Sequence, residues 1–261
     1  MKTSDLAAVL ERLREQRPLI LSLTNSVVQN ITANMLLAVG AAPVMLNDTA
    51  ESEQLLRAAA GGLLVNVGTL SHPQAQQMRR AVDAAHAAGV PWVLDPVAVG
   101  LLSFRTEFCR ELLALHPTLI RGNASEIMAL AGVAAGGRGT DTTEESAAAV
   151  QAAQQLACQC GCAVLVTGAV DYVTDGERLL ALANGDPLMT RVTGVGCAMG
   201  ALAAACVAAA PEELLRALPF WVLPENGLQL VARVPEALLL PCWMPSRLLM
   251  WKNLPEFYEN R

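Results

Sequence analysis

Gly194 and Gly196 stand one residue apart, directly before Cys197 and an apolar run in which residues 201–209 are all Ala, Leu, Cys or Val. A helix is therefore expected to begin at about Cys197, with its free backbone N–H groups pointing back into the glycine turn. Glycine lets backbone approach a ligand closely, and the helix dipole favours negative charge at that end. Gly194, Val195, Gly196 and Cys197 thus read as an anion hole, and a thiol in the first helical turn is expected to have its thiolate form stabilised. The plainer alternative is a tight turn with a small apolar cysteine packed beneath a buried helix.

Other residues with chemical potential recur just past short apolar runs: Asn25, Met45, Thr69, Asp95, Arg121 and Thr167. Two carboxylates (Asp95 and Glu126), one arginine and a glycine-rich anion loop suit phosphoryl transfer. That reaction needs a magnesium ion held by carboxylates and phosphates, with cationic and N–H groups to stabilise spreading charge. Each residue also has a structural reading. Asp95 precedes Pro96 in a possible turn, Glu126 could complete a cap with Asn123, and Arg121 could pair with a surface acid. A dinucleotide fingerprint fits poorly, because the glycines come late in the chain rather than in the first strand–helix unit. No Gly-Lys-Ser/Thr sequence is present, which argues against a P-loop kinase.

The elements that must position these groups follow a repeating pattern. Leu6, Val9, Leu10 and Leu13 recur at helical spacing before Pro18, and residues 19–23 form a short apolar strand. Helix, strand and loop then alternate. Strands are expected near 43–45, 63–66, 92–94, 118–120 and 163–166, with helices near 27–39, 52–60, 73–88, 105–115 and 143–158. A further helix opens after Arg121-Gly122-Asn123, and a hairpin turns at Asp175-Gly176. Such alternation makes an α/β fold with a mostly parallel central sheet flanked by helices. Ligands bind beyond the carboxyl ends of such strands, where one rim would collect the polar residues and the Gly194 loop.

Composition narrows the class. Of 261 residues, 53% are hydrophobic and 16% charged, and the formal net charge is −6, with no basic stripe to hold nucleic acid. No convincing membrane span or secretory h-region is evident, so a cytoplasmic protein with no membrane partner is expected. Seven cysteines then read as free thiols. Cys158, Cys160 and Cys162 alternate across an expected helix end, a poor arrangement for a metal cluster, and His72, His86 and His116 read as solvated surface residues.

The segments Asp95-Pro96-Val97-Ala98-Val99-Gly100, Arg121-Gly122-Asn123-Ala124-Ser125-Glu126-Ile127, Gly185-Asp186-Pro187-Leu188-Met189-Thr190 and Gly194-Val195-Gly196-Cys197 resemble those of the hydroxyethylthiazole kinases of thiamine salvage. The resemblance runs from about residue 10 to about residue 210. It implies a ribokinase-like fold, a homotrimer with sites between subunits, and Mg2+- and ATP-dependent phosphorylation of 4-methyl-5-(2-hydroxyethyl)thiazole. By motif, Met45, Asn25, Gly68 and Gly194 would bind the thiazole, and Arg121 and Thr167 would bind ATP. Asp95 and Glu126 would sit at the metal, and Cys197 would take the hydroxyl proton. A kinase of a hydroxymethylpyrimidine-type alcohol and an inactive ligand-binding relative are the competing expectations.

Two departures from the family pattern stand out. Its loop usually reads Gly-Thr-Gly-Cys, where this chain has Val195, which loses a hydroxyl donor but keeps the backbone donors. Residues 1–210 match as a kinase domain, whereas 211–261 diverge. Six of the 14 prolines lie between Pro219 and Arg261, and the family's Ala-Gly-Glu and Gly-Pro-Gly-Ser-Phe segments are missing. With suitable codons, residues 222–228 and 233–238 read two bases later give both segments, so a reading-frame change near residues 211–222 is expected.

Overall fold

A computed structural model describes residues 3–133, 142–183, 189 and 191–210. Its elements in chain order are α1 (Thr3–Gln16), β1 (Leu19–Leu23), α2 (Gln29–Val39), β2 (Ala42–Val44), α3 (Thr49–Ala58), β3 (Gly62–Asn66), α4 (His72–Ala88) and β4 (Trp92–Asp95). They continue with α5 (Ser103–Leu113), β5 (Leu119–Asn123), α6 (Ala124–Leu130), α7 (Thr142–Cys160), β6 (Ala163–Thr167), β7 (Asp171–Thr174), β8 (Leu179–Leu182) and α8 (Val195–Ala209). Most of the motif Gly185–Thr190 and the divergent tail from residue 211 lie outside the described residues.

The strands form one sheet in the order β2-β1-β3-β4-β5-β6-β7-β8. The first six are parallel, and β7 and β8 close the edge as an antiparallel hairpin. Alternate residues of each strand serve opposite layers. Leu64, Val93 and Leu119 join α1, α2 and α8 on one face, while Leu63, Val65, Leu94 and Ile120 join α3 to α7 on the other. This two-sided burial explains why the strands read as unbroken apolar runs. It also explains α8, whose residues from Ala198 to Val207 are all buried.

The chain leaves β1 in one direction to make β2 and returns on β1's other side to make β3. Right-handed crossovers then put α2 and α3 on opposite faces of the sheet, as their separate core layers show. A crevice opens where the order reverses, between the carboxyl ends of β1 and β3. Local chemistry fixes the helix starts around this rim. Asp48 caps α3 by accepting from the Glu51 backbone at 2.9 Å, and Ser71 and Gln74 make a capping box for α4.

Two boundaries differ from expectation. α8 begins at Val195, earlier than Cys197, because the chain at Gly194 already has φ +91° and its carbonyl takes the first helical bond, from Ala198 N at 2.9 Å. β5 runs on to Asn123, so Arg121 lies within the strand and not beyond it. Pairing with β6 continues through Arg121–Leu165, Gly122–Val166 and Asn123–Thr167. The expected hairpin is present, turned at Gly176 with φ +98°.

Candidate active site

The switch-point crevice is organised by a side chain that periodicity does not single out. Asn66, the last residue of β3 and 1% exposed, accepts from Asn25 Nδ2 at 2.9 Å and from Gly68 N at 3.0 Å through its Oδ1. With the oxygen saturated by two donors, the amide nitrogen must face the other way, and it donates to Asp95 Oδ2 at 2.6 Å. Asn25, Asn66 and Asp95 thus form a relay across the ends of three adjacent strands. Gly68 is required for this approach: a Cβ there would lie 2.7 Å from Asn25 Nδ2.

Asp95 is fully buried. Burial, opposed by the Arg121 guanidinium and reinforced by the Glu126 charge, pushes its carboxyl from 3.8 up to about 7. Arg121 Nη1 stands 3.5 Å from Asp95 Oδ1, near enough to attract it but not aligned for a hydrogen bond. Arg121 Nη2 instead donates to Thr167 Oγ1 at 3.0 Å, joining the ends of β5 and β6. Asp95 Oδ1 and Arg121 Nε are both buried without a hydrogen-bond partner. This buried ion pair thus keeps hydrogen-bonding capacity on both partners, which suits a charged ligand at the crevice.

Glu126 fulfils its structural reading. In a capping box its Oε2 accepts from Asn123 N at 2.9 Å, while Asn123 Oδ1 accepts from Glu126 N at 2.9 Å. Its Oε1 also accepts from Ala98 N at 2.9 Å, tying the loop after β4 to α6. Each oxygen keeps further acceptor capacity. Asp171, which sequence reasoning missed, is 6% exposed at the start of β7 and accepts from Gly168 N at 2.8 Å. Burial raises its carboxyl, partly offset by that bond and by Arg121.

The start of α8 closes the crevice from the opposite layer. At Gly194, φ +91° is a conformation that side chains rarely adopt, and a Cβ would lie 2.6 Å from Val28 Cγ1. Val195 turns its side chain toward the core, leaving backbone N–H groups to serve the turn. A Cβ at Gly196 would stand 3.1 Å from Arg121 Nη2, and one at Gly200 would stand 3.2 Å from Asp95 Oδ2. The helix therefore lies directly against both charged groups.

One expectation about Cys197 is overturned. Burial first, then the Asp95 charge, push its thiol up, and this outweighs contacts with Asn66, Arg121 and Asn25. Burial, with the Asp95 charge second, works against the stabilisation of the thiolate expected at a helix N-terminus. Met45, half-buried beyond β2, lines a recess with Ser22, Thr24, Gln29, Asn47 and Gln77 on the far side of β1 from Asp95. Thr69 sits at the crevice mouth, where its hydroxyl accepts from Ser26 N at 3.2 Å. Among the described residues, no group of three or more His, Cys, Asp or Glu side chains could hold a metal, and no helix is long and apolar enough to cross a membrane.

Comparison with known proteins adds an independent line. The sequence profile of the hydroxyethylthiazole kinase family matches residues 10–234, past the point where the resemblance by motif stops. A protein of Escherichia coli (strain SMS-3-5 / SECEC) named hydroxyethylthiazole kinase is 52% identical over 236 residues, 89% of each chain. The solved hydroxyethylthiazole kinase of Pyrococcus horikoshii OT3 superposes with a TM-score of 0.75 at 39% identity, covering 84% of this chain and 81% of that one. The pyridoxal kinase of Bacillus subtilis, solved as an ADP complex, shares the fold at a TM-score of 0.55 and 18% identity, over 77% of this chain and 87% of its own.

Proposed function

Because the chain belongs to the hydroxyethylthiazole kinase family, we infer that it transfers the γ-phosphoryl group of ATP to the hydroxyl of 4-methyl-5-(2-hydroxyethyl)thiazole at the Asp95–Arg121–Gly194 crevice. The observation that carries the site assignment is the buried ion pair of Asp95 and Arg121, poor in hydrogen bonds, beneath the N-terminus of α8.

The thiazole lies between Asn25, Gly68, Gly194 and Met45. ATP lies over β5 and β6, with Arg121 and Thr167 on its phosphates. The free N–H groups of Val195, Gly196 and Cys197 face the transferring group, so its equatorial oxygens meet backbone donors and a guanidinium in a site shielded from water. The substrate oxygen forms a bond to phosphorus as the bond to the departing ADP oxygen breaks. In a loose transition state the hydroxyl stays protonated until late, so Cys197, beside Asn25 and Asn66, can act through its thiolate fraction alone, orienting the hydroxyl and accepting its proton.

The residues fit a magnesium ion. Asp95 Oδ1 accepts no hydrogen bond and faces Arg121 Nη1 at 3.5 Å, and a cation beside it would offset the burial that raises the carboxyl. Glu126 adds negative charge from the α6 cap. When bound, the ion supplies charge neutralisation across the nucleotide phosphates. A homotrimer with sites between subunits, a cytoplasmic location and a shifted reading frame behind residues 211–261 belong to the same proposal. The site assignment is tested by ATP turnover with the thiazole alcohol in wild type and Arg121→Ala. Unimpaired turnover of the variant would remove Arg121 from the phosphates. Sequencing the gene tests the frame change, and expressing a frame-restored chain beside this one tests the tail: equal thermal stability and kinase activity in the two would refute the idea that the present tail is a defect.

A further inference from the structure

Asp171, the first residue of β7, is a buried carboxyl with no part so far in phosphoryl transfer, and the strand register shows where its side chain points. Arg121 of β5 pairs with Leu165 of β6, and Leu165 pairs with Val173 of β7, while two residues on Asn123 pairs with Thr167. Side chains alternate along each strand, so Arg121, Thr167 and Asp171 lie on the sheet face that Leu119, Leu165 and Val173 share with α8. That is the face on which the N-terminus of α8 meets Arg121.

Asp171 Oδ1 accepts from Gly168 N at 2.8 Å, so the side chain closes the connection between β6 and β7. Thr167 is half-buried and Gly168 and Ala169 are exposed, which leaves the segment that Asp171 holds open to a ligand while Asp171 itself is covered. The Thr167 hydroxyl donates to Gly122 O at 3.3 Å and accepts from Arg121 Nη2 at 3.0 Å. With its hydrogen directed to Gly122 it presents a lone pair to Arg121, so the placement of Thr167 sets the direction of the guanidinium. The opposing pull comes from Asp95 on β4, whose Oδ1 lies 3.5 Å from Arg121 Nη1. Asp95 and Asp171 thus flank β5 from opposite sides along the sheet.

We propose that Asp171 is a positioning residue for the nucleotide: through Gly168 it fixes the connection that follows Thr167, and through Thr167 it keeps Arg121 turned toward the phosphates and away from Asp95. The inference rests on the reading that Arg121 and Thr167 meet ATP, and it extends that reading to a residue that acts through them. The acceptor oxygen is the working part. Without it the Gly168 N–H loses its partner, the connection shifts, and Thr167 releases Arg121 to Asp95. Asparagine at this position keeps an acceptor oxygen for Gly168 N, whereas alanine and leucine do not. The thiazole side, built on the bonds of Asn66 to Asn25 and Gly68, is not touched by this change.

The test is steady-state kinetics on the full-length chain, with ATP and the thiazole alcohol varied in turn, for wild type, Asp171→Ala, Asp171→Leu and Asp171→Asn beside Arg121→Ala. Alanine and leucine should raise the KM for ATP by about tenfold and that for the thiazole by less than about twofold, and asparagine should return the ATP value to within about twofold of wild type. A role in folding alone would lower kcat through the active fraction and move neither KM. On the wild-type chain, where no variant has to fold, ADP should slow hydrogen exchange in the peptide spanning residues 167–171 by about threefold or more. The proposal is overturned if both KM values rise alike, if asparagine gives no recovery, or if ADP leaves that exchange unchanged. A raised ATP KM in Arg121→Ala beside unchanged values in the alanine and leucine variants overturns this proposal alone, whereas an unchanged ATP KM in Arg121→Ala overturns the underlying reading and this proposal with it.

Discussion

Replacing Asp95 by asparagine isolates what it costs the protein to keep a carboxylate buried in the crevice. The wild-type carboxyl rises from 3.8 to about 7, with burial the largest cause. Below pH 3.8 both folded and unfolded chains hold the proton, and its stabilising contribution is fully present. Between about pH 4 and 7 the unfolded chain ionises first, so stability falls as pH rises, and the loss is complete a little above about 7. At about 1.4 kcal/mol per tenfold change in proton affinity, the full loss is at most about 4 kcal/mol. For a chain of this size that corresponds to roughly 10 °C in Tm. The substituted amide can still accept from Asn66 and cannot ionise, while Arg121 keeps Asp171 nearby. Thermal unfolding of both proteins from about pH 5 to 8, with chelator present, should therefore show a wild-type Tm that falls relative to Asp95→Asn as pH rises. Magnesium with nucleotide should narrow the gap at the alkaline end. Parallel Tm curves across the range would refute the buried, charge-strained carboxylate and with it the proposal that Asp95 holds a cation.

The remaining predictions concern the groups around it. Arg121→Ala should raise the KM for ATP by tenfold or more and the KM for the thiazole much less, since Arg121 reaches Thr167 and Gly196 and not the Asn25 side; steady-state kinetics with each substrate varied in turn would show equal effects if Arg121 lies elsewhere. Cys197→Ser should lower kcat and leave nucleotide affinity intact, because a loose transition state needs little base catalysis. Calorimetric titration with ADP checks this, and lost affinity at unchanged kcat would contradict it. Gly194→Ala should destabilise the fold by about 1–3 kcal/mol, from a forbidden φ and the contact with Val28, measured by urea unfolding; an unchanged midpoint would mean that the turn is not held at +91°.

What can be read from sequence depends on the range of the interactions involved. The alternation of apolar runs and amphipathic helices made the parallel sheet legible, and the polar residues that follow the strands marked its rim. Asn66 was not legible as an organiser, because its importance lies in contacts 41 and 29 residues away in sequence. Asp171 was hidden similarly, just before what read as a hairpin, because the charge that acts on it, Arg121, comes from β5. The strand boundary at Arg121 was misplaced because pairing with β6, a long-range contact, extends β5. The direction of the Cys197 shift depends on burial first and then on a carboxylate brought in from β4, neither of which the local helix-terminus argument contains.

That this crevice phosphorylates a thiazole alcohol is the central claim. The most direct test is steady-state ATP turnover by the purified full-length chain with 4-methyl-5-(2-hydroxyethyl)thiazole, hydroxymethylpyrimidine and pyridoxal as acceptors, with the phosphorylated product identified by mass. A kcat/KM at least a hundredfold higher is predicted for the thiazole alcohol, with one phosphate added to its hydroxyl. Turnover of the pyrimidine or pyridoxal alcohol in preference to the thiazole, or thiazole binding without any product, would contradict it.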